Sequence, residues 1–330
     1  MLPEAPLPPP SDSPDLDSWL EAHDLVAASL SPLGGDVSPR TYARVTGRDG
    51  SSWILASYPP ELSGTFERFR RTTELLETAG VRVPAIRTAD EASLRMVVED
   101  LGPQTLYERP ERSWPAWTAD YRTACTILGR ISALPAGLVT DLNPLLDGMA
   151  LRRELEQTLE LFVRPLRLPP ALEARLVGFF DQLCEAIDGQ PRHPCHRDFM
   201  VRNLVPTATG LAVIDHQDLR LAPERYDLAS LLNDSVFPPA QIEEAILDEV
   251  LGTGAPRDDY RRCAVQRTFK AIGTFTAFAR RGFPRHLPLV SPTLERGLAQ
   301  MAQLDEGAAL AGELRRAFTP AQGISRSLLD

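Results

Sequence analysis

Residues 196–203, His-Arg-Asp-Phe-Met-Val-Arg-Asn, are the stretch that decides how this sequence is interpreted. In this stretch Asp198 is followed five residues later by Asn203. A short apolar run, residues 211–215 (Leu-Ala-Val-Ile-Asp), comes next and ends in the acid Asp215. An apolar run of this length is typical of a buried strand. The sequence therefore predicts a loop and a strand that present two carboxylates and one amide.

The spacing of this stretch is typical of the catalytic loop of protein kinases. Phosphoryl transfer depends on positioning and charge neutralisation more than on covalent chemistry. Asp198 suits the catalytic role, because a carboxylate can orient an attacking hydroxyl and accept its proton. Asn203 and Asp215 carry the oxygen ligands that Mg²⁺ prefers. We therefore expect ATP and Mg²⁺ as cofactors.

The roles of two residues in or near this loop, His196 and Asp218, are less well defined by the sequence. We expect His196 to hold the loop by hydrogen bonds rather than to take part in the chemistry. Asp218 contacts metal or substrate, or it caps the following segment, and the sequence leaves these alternatives open.

The first hundred residues are predicted to form a small sheet with one helix packed on it. After a first helix that starts at residues 14–15, the dipeptide Asp49-Gly50 between two apolar runs predicts a β-hairpin. A helix is expected over residues 62–79, where Gly80 ends it. Residues 82–99 then predict a second hairpin.

The rest of the chain is predicted to be mostly helical, with the loop-and-strand block at residues 193–218 inside it. Helices are expected at 115–134, 149–163, 170–188, 225–234, 239–252, 257–281 and 291–303. The fold class is therefore α+β, a protein-kinase-like two-lobe fold. The expected domains are a disordered N-terminus (1–14), a β-rich N-lobe with the nucleotide-binding sheet and helix (15–101), and a larger helical C-lobe (102–330). The space between two such lobes is a common nucleotide site.

Composition excludes several other classes of protein. The net charge of −10 comes without a basic stripe, so no nucleic-acid partner is expected. The four cysteines form no C-x-x-C pair, which argues against a structural zinc site. No signal peptide and no run of ~18 apolar residues is present, so we expect a cytoplasmic protein without a membrane partner. The expected partner is a small molecule, and the oligomeric state stays open.

The motifs resemble a known family most closely over residues 193–234. The catalytic loop, the run ending in Asp215, and residues 226–231 are similar to the aminoglycoside phosphotransferase and choline kinase group. A closer resemblance is to the anomeric kinases of N-acetylmuramate and N-acetylglucosamine, and it includes residues 35–42, 56–61 and 266–275. It implies transfer of the ATP γ-phosphate to the C1 hydroxyl of an amino sugar, for peptidoglycan recycling or nucleotide-sugar supply.

The resemblance also implies residue roles. Asp198 would be the base, Asn203 and Asp215 would bind Mg²⁺, and Asp227 would hold the catalytic loop. The phosphate loop would include Gly34, Gly35 and Ser38, and the hinge that pairs adenine would run from Glu99 to Leu101.

One departure from protein kinases concerns the phosphates. The strand at residues 53–58 has no lysine to hold them. We expect Arg40 or Arg44 to replace it, because an arginine fork suits phosphate oxygens. Arg202, beside the catalytic loop, is a candidate sugar contact.

Three alternatives stay open at this point: an aminoglycoside-type antibiotic kinase, a choline- or homoserine-type kinase, and a pseudokinase. The missing strand lysine favours the pseudokinase, while the intact Asp198, Asn203 and Asp215 argue against it.

Overall fold

The computed structural model describes residues 14–25, 27–34, 39–109 and 112–318. The predicted disordered N-terminus therefore lies, apart from residue 14, outside the described residues. The chain divides into two compact units. The first comprises the described residues of Met1–Pro103 together with Ala212–Gln217, and the second comprises those of Gln104–Leu211 and Asp218–Asp330. The sequence placed residues 212–217 in the helical lobe, whereas their contacts assign them to the first unit.

The first unit is built on a five-stranded antiparallel sheet with the order β1-β2-β3-β5-β4. Its elements are α1 (Pro14–Ala22), β1 (Ala27–Leu33), β2 (Thr41–Gly47), β3 (Ser52–Ser57), α2 (Ser63–Thr78), β4 (Ile86–Asp90) and β5 (Arg95–Glu99). The predicted Asp49-Gly50 turn joins β2 and β3, and Gly50 has the left-handed φ of 82° that such a turn requires. Gly80 ends α2 with a φ of 68°, as predicted.

Both faces of the sheet are covered, because alternate strand residues point to opposite sides. Leu55 and Val97 pack with Trp19 and Leu20 of α1. Ala56 and Met96, one residue away, pack instead with Phe66 of α2. The sequence predicted one helix on this sheet, and α1 supplies the second layer.

The second unit is mainly helical. Its helices are α3 (Trp114–Ser132), α4 (Gly148–Thr158), α5 (Pro170–Asp188), α6 (Tyr226–Leu232), α7 (Ala240–Leu251), α8 (Asp258–Arg280), α9 (Val290–Met301) and α10 (Ala308–Phe318). The strands of this part of the chain are β6 (Arg192–Cys195), β7 (Leu204–Thr207), β8 (Gly210–Val213) and β9 (Arg220–Pro223), of which β8 continues into the first unit. β6 pairs with β9, and β7 pairs with β8.

The long helix α8 organises the second unit, since α4, α5, α6 and α9 all pack against it. Its approach to α4 is close: a Cβ added at Gly273 would lie 2.5 Å from Oγ1 of Thr158. The same hydroxyl donates to the Phe269 carbonyl at 2.6 Å. Among the described residues, no helix is long and apolar enough to cross a membrane.

Candidate active site

The loop that carries Asp198 is held from behind by Asp227, near the start of α6. The buried carboxylate of Asp227 accepts the backbone N–H of His196 at 2.6 Å and that of Arg197 at 2.9 Å. Arg197 has a φ of 80°, which is unusual for a residue with a side chain. The two hydrogen bonds therefore fix the backbone next to Asp198. Burial raises the pKa of Asp227 despite these two donors.

His196 is fully buried behind the loop. Its ring packs edge-on against Phe199, with the centroids 5.8 Å apart. This position inside the protein fits the structural role expected for His196, and it keeps the ring away from solvent.

Asp198 is surrounded by cations. Arg267 Nη1 lies 2.8 Å and Lys270 Nζ 3.0 Å from the same carboxylate oxygen, Oδ1. Arg197 Nη1 lies 3.6 Å from the other oxygen, Oδ2. Burial by itself would raise the pKa of this carboxyl, but the three positive charges outweigh it and hold the pKa well below its usual range. Asp198 is therefore ionised throughout the physiological pH range.

The cations around Asp198 belong to a larger charge array within the second unit. Arg197 also pairs with Glu154 and Asp218, at 3.0 Å each, and Arg220 contacts Asp218 at 3.1 Å. Lys270 lies 3.8 Å from Glu154. In the complete array four cations face three carboxylates: Arg197, Arg220, Arg267 and Lys270 with Glu154, Asp198 and Asp218. The array carries one excess positive charge, although the whole chain is acidic.

Asn203 and Asp215 provide chemistry that fits Mg²⁺. The Asn203 amide nitrogen donates to the Asp198 carbonyl at 2.9 Å, which directs the amide oxygen elsewhere. The side chain of Asp215 is 44% exposed, and its contacts with Gln217 (2.8 Å) and Arg40 (3.4 Å) both use Oδ1. Each of these two side chains carries an oxygen of the kind that Mg²⁺ prefers. Among the described residues, no group of three or more His, Cys, Asp and Glu side chains is arranged to hold a metal ion, and the Mg²⁺ roles of Asn203 and Asp215 stay predictions.

In the first unit, Arg40 and Asp215 come together although 175 residues separate them in the sequence. Arg40 lies near the rings of Tyr42 and Tyr58, 5.8 and 6.0 Å from their centroids. Asp215 has a φ of 60°, and Arg197 and Asp215 are two of five described non-glycine residues with positive φ. Such backbone conformations tend to occur at functional sites.

The residue after Asp215, His216, fastens this segment to α2. Its ring is fully buried, Nδ1 lies 2.8 Å from the Thr72 hydroxyl, and Nε2 lies 3.4 Å from that of Thr73. The ring also lies against Phe69, with the centroids 4.5 Å apart. His216 therefore anchors to α2 the segment that carries Asp215.

Two other residues expected to bind the nucleotide, Arg44 and Glu99, form ion pairs within the protein. Arg44 is held by Asp100 through two hydrogen bonds, at 2.6 and 3.2 Å, whereas the contact of Arg40 with Asp215 is longer, at 3.4 Å, so we favour Arg40 as the phosphate ligand. The Glu99 amide donates to the Ala85 carbonyl at 2.9 Å, and its carboxylate pairs with Arg82. The Glu99 amide is therefore already engaged within the first unit, and the hinge role of Glu99 to Leu101 stays a prediction.

The glycines of the expected phosphate loop are only partly described. Gly34 is exposed, and a Cβ added there would meet no atom of the described residues within 4 Å. Gly35 and Ser38 lie outside the described residues.

Arg202 and Asp218 both have protein partners. The Arg202 guanidinium lies on the Tyr107 ring, 3.5 Å from its centroid, and donates to the Ser235 hydroxyl at 2.8 Å. Asp218 is neutralised by two arginines, as described above. The roles of Arg202 and Asp218 toward a substrate stay predictions.

Five residues of the array were not predicted as site residues: Glu154, Arg197, Arg220, Arg267 and Lys270. Arg197 lies within the catalytic-loop motif, but no role was assigned to it. Arg267 and Lys270 lie within a segment that resembles the anomeric kinases, but no role followed from that. One signal was available, since Lys270 is the single lysine of the sequence.

A family model described as the phosphotransferase enzyme family (APH) matches residues 29–265. The chain belongs to this family. It is therefore an enzyme of the phosphotransferase type, and the resemblance to this family is confirmed.

Curated relatives are similar over most of the chain rather than over a single motif. An N-acetylmuramate/N-acetylglucosamine kinase of Pseudomonas aeruginosa is 29% identical over 306 residues, which is 84% of this chain and 86% of the relative. A kinase of the same name from Pseudomonas putida is 30% identical over 283 residues, 80% of this chain and 81% of the relative.

Solved structures share the fold at lower identity. Choline kinase LicA from Streptococcus pneumoniae is 16% identical with a TM-score of 0.60, covering 86% of this chain and 98% of its own. The streptomycin–ATP–APH(2″)-IIa ternary complex is 13% identical with a TM-score of 0.57, covering 86% and 97%. The predicted α+β, protein-kinase-like fold is confirmed.

Proposed function

We propose that this phosphotransferase transfers the γ-phosphoryl group of ATP to the anomeric C1 hydroxyl of an N-acetylated amino sugar, of the N-acetylglucosamine or N-acetylmuramate type. The observation that carries the proposal is the ionised Asp198 on a loop fixed by Asp227, in a chain similar over most of its length to kinases named for these sugars. The reaction would supply a sugar 1-phosphate to a step that consumes an activated sugar.

In the proposed reaction the bond between the γ-phosphorus and the β–γ bridging oxygen breaks, and a bond from the sugar O1 to that phosphorus forms. ADP carries away the electron pair of the broken bond. The proton of the C1 hydroxyl passes to Asp198 and then to solvent. Because Asp198 is a weak base, it orients the hydroxyl and takes the proton late, which suits a loose transition state.

Asn203 and Asp215 would hold Mg²⁺, which neutralises charge on the triphosphate when bound. Arg40 would add a cation for the phosphates in place of the absent strand lysine, and its present partner Asp215 would then turn to the metal.

The charge array bears on the alternative acceptors. An aminoglycoside is polycationic and requires an acidic pocket. Around Asp198, however, four cations face three carboxylates. This balance favours a neutral or anionic sugar over an aminoglycoside or choline.

The proposal is tested by ADP release with ATP, Mg²⁺ and separate acceptors: N-acetylglucosamine, N-acetylmuramate, glucose, glucosamine, choline, homoserine and kanamycin. We expect turnover with the N-acetylated sugars and its loss in Asp198→Asn. Asp305→Asn, an exposed aspartate elsewhere in the second unit, serves as the matched control. Turnover with kanamycin or choline alone would overturn the proposed acceptor, and tight Mg·ATP binding without any turnover would point to the pseudokinase.

A further inference from the structure

Lys270 is the only lysine among the 35 lysine and arginine residues of the chain. Everywhere else in this sequence a basic position is an arginine. The exception lies on α8 with its ammonium against the catalytic carboxylate. Ammonium and guanidinium groups differ in size, donor geometry and capacity to lose a proton. The position of this one lysine therefore points to a requirement for an amine.

The geometry around Lys270 distinguishes the two oxygens of Asp198. Lys270 and Arg267, one turn apart on α8, both donate to Oδ1, at 3.0 and 2.8 Å. Within the part of the chain that the structure describes, the cation nearest to Oδ2 is Arg197, at the longer distance of 3.6 Å. Two short charge-assisted hydrogen bonds saturate Oδ1. Oδ2 is thus the oxygen that remains for an acceptor hydroxyl.

We propose that Lys270 is a positioning residue of the phosphoryl transfer. Its ammonium donates to Oδ1 of Asp198 and so leaves Oδ2 for the acceptor hydroxyl. Loss of the ammonium proton sets the alkaline limit of activity. The inference rests on the proposed function only in taking Asp198 as the group that receives the hydroxyl proton.

An ammonium suits this place for two physical reasons. It is a compact donor that reaches Asp198 at 3.0 Å and faces Glu154 at 3.8 Å, beside the larger Arg267. It also titrates, whereas a guanidinium does not. Burial and the charges of Arg267 and Arg197 lower the pKa of Lys270, while Asp198 and Glu154 partly oppose them. At a pH above this lowered pKa, Oδ1 loses one of its two cations, and the carboxylate becomes free to turn.

The single lysine allows a direct test without knowledge of the acceptor. Protein grown with lysine labelled with ¹³C at Cε and ¹⁵N at Nζ gives one side-chain signal, whose pH titration reports the pKa of Lys270. We expect this pKa below the ordinary value of about 10.4. In Asp198→Asn it should fall further, because an anion that stabilises the charged form is removed. An ordinary pKa that is the same in both proteins would overturn the proposal.

Kinetics test the positioning role itself. In Lys270→Met, kcat should fall roughly ten- to hundredfold, and the acid limb of kcat/KM should move to higher pH because Asp198 loses a cation. Lys270→Arg should recover part of kcat and lose the alkaline limb. The matched control is Arg280→Met, an exposed cation on the same helix, which should change neither.

Two kinetic outcomes would overturn the proposal: a wild-type kcat in Lys270→Met, or a wild-type alkaline limb in Lys270→Arg. Circular dichroism establishes that each variant is folded. If none of the sugars is phosphorylated, the proposed function fails, yet the labelled-lysine titration still decides the role of Lys270.

Discussion

Asp227 offers the sharpest test of how the catalytic loop is built. Replacement by alanine removes two hydrogen bonds, to the His196 and Arg197 amides, and leaves a buried donor (His196) and a partly buried donor (Arg197) without this partner. A hydrogen bond to a charged group contributes about 1.5–3 kcal/mol, so the loss of two in Asp227→Ala should lower the free energy of unfolding by about 3–6 kcal/mol. Asp227→Asn keeps one acceptor oxygen and should cost about 2–3 kcal/mol.

The assay is urea unfolding followed by tryptophan fluorescence, together with kcat under conditions where the variants are folded. Since Arg197 would no longer be held at a φ of 80°, Asp198 should shift, and kcat should fall on the order of 10²-fold in both variants. Asp305→Asn should change neither quantity. A fully stable Asp227→Asn with wild-type kcat would refute the reasoning, because the loop would then hold its shape without this carboxylate.

Three further outcomes are expected. Arg40→Ala should raise the KM for ATP roughly tenfold or more. Arg44→Ala should lower the stability of the protein and leave the KM for ATP unchanged. The reverse pattern would contradict the choice of Arg40 as the phosphate ligand. Gly273→Ala should destabilise the protein by about 1–3 kcal/mol in urea unfolding, since its Cβ would lie 2.5 Å from the Thr158 hydroxyl, and an unchanged midpoint would show that the helices can move apart. Because the pKa of Asp198 lies well below its usual range, kcat/KM should show no acid limb from Asp198 between about pH 5 and 7, and such a limb would mean that its cations are absent in solution.

The sequence predicted those helices and hairpins that are determined by neighbouring residues in the chain. The Asp49-Gly50 hairpin, α2 with its glycine stop, and the long helices follow from turn residues and periodicity. β1 was missed because Ala27–Leu33 contains Pro32 and few β-branched residues, a composition tolerated at the sheet edge where β1 lies. α10 was missed despite a usable signal, the four-residue spacing of Leu310, Leu314 and Phe318 on its buried face.

The candidate site was predictable only where its residues follow one another in the chain. The motif from His196 to Asn203 marks the loop and includes Arg197, but the other two cations around Asp198 come from α8, about 70 residues later. The pairing of Arg44 with Asp100 is likewise a long-range contact between side chains. Periodicity reports which face of an element is buried. It does not report which charges meet, and for that reason the array around Asp198 required the structure.

The most direct test of the central claim locates the transferred phosphate. The enzyme is incubated with ATP, Mg²⁺ and N-acetylglucosamine labelled with ¹³C at C1, and the product is examined by ³¹P and ¹³C NMR. We predict a phosphorus signal coupled to the labelled carbon, formed by the wild-type protein and by Asp305→Asn and absent with Asp198→Asn. A phosphate on any other hydroxyl, or a C1-phosphate that still forms at the wild-type rate with Asp198→Asn, would contradict the account.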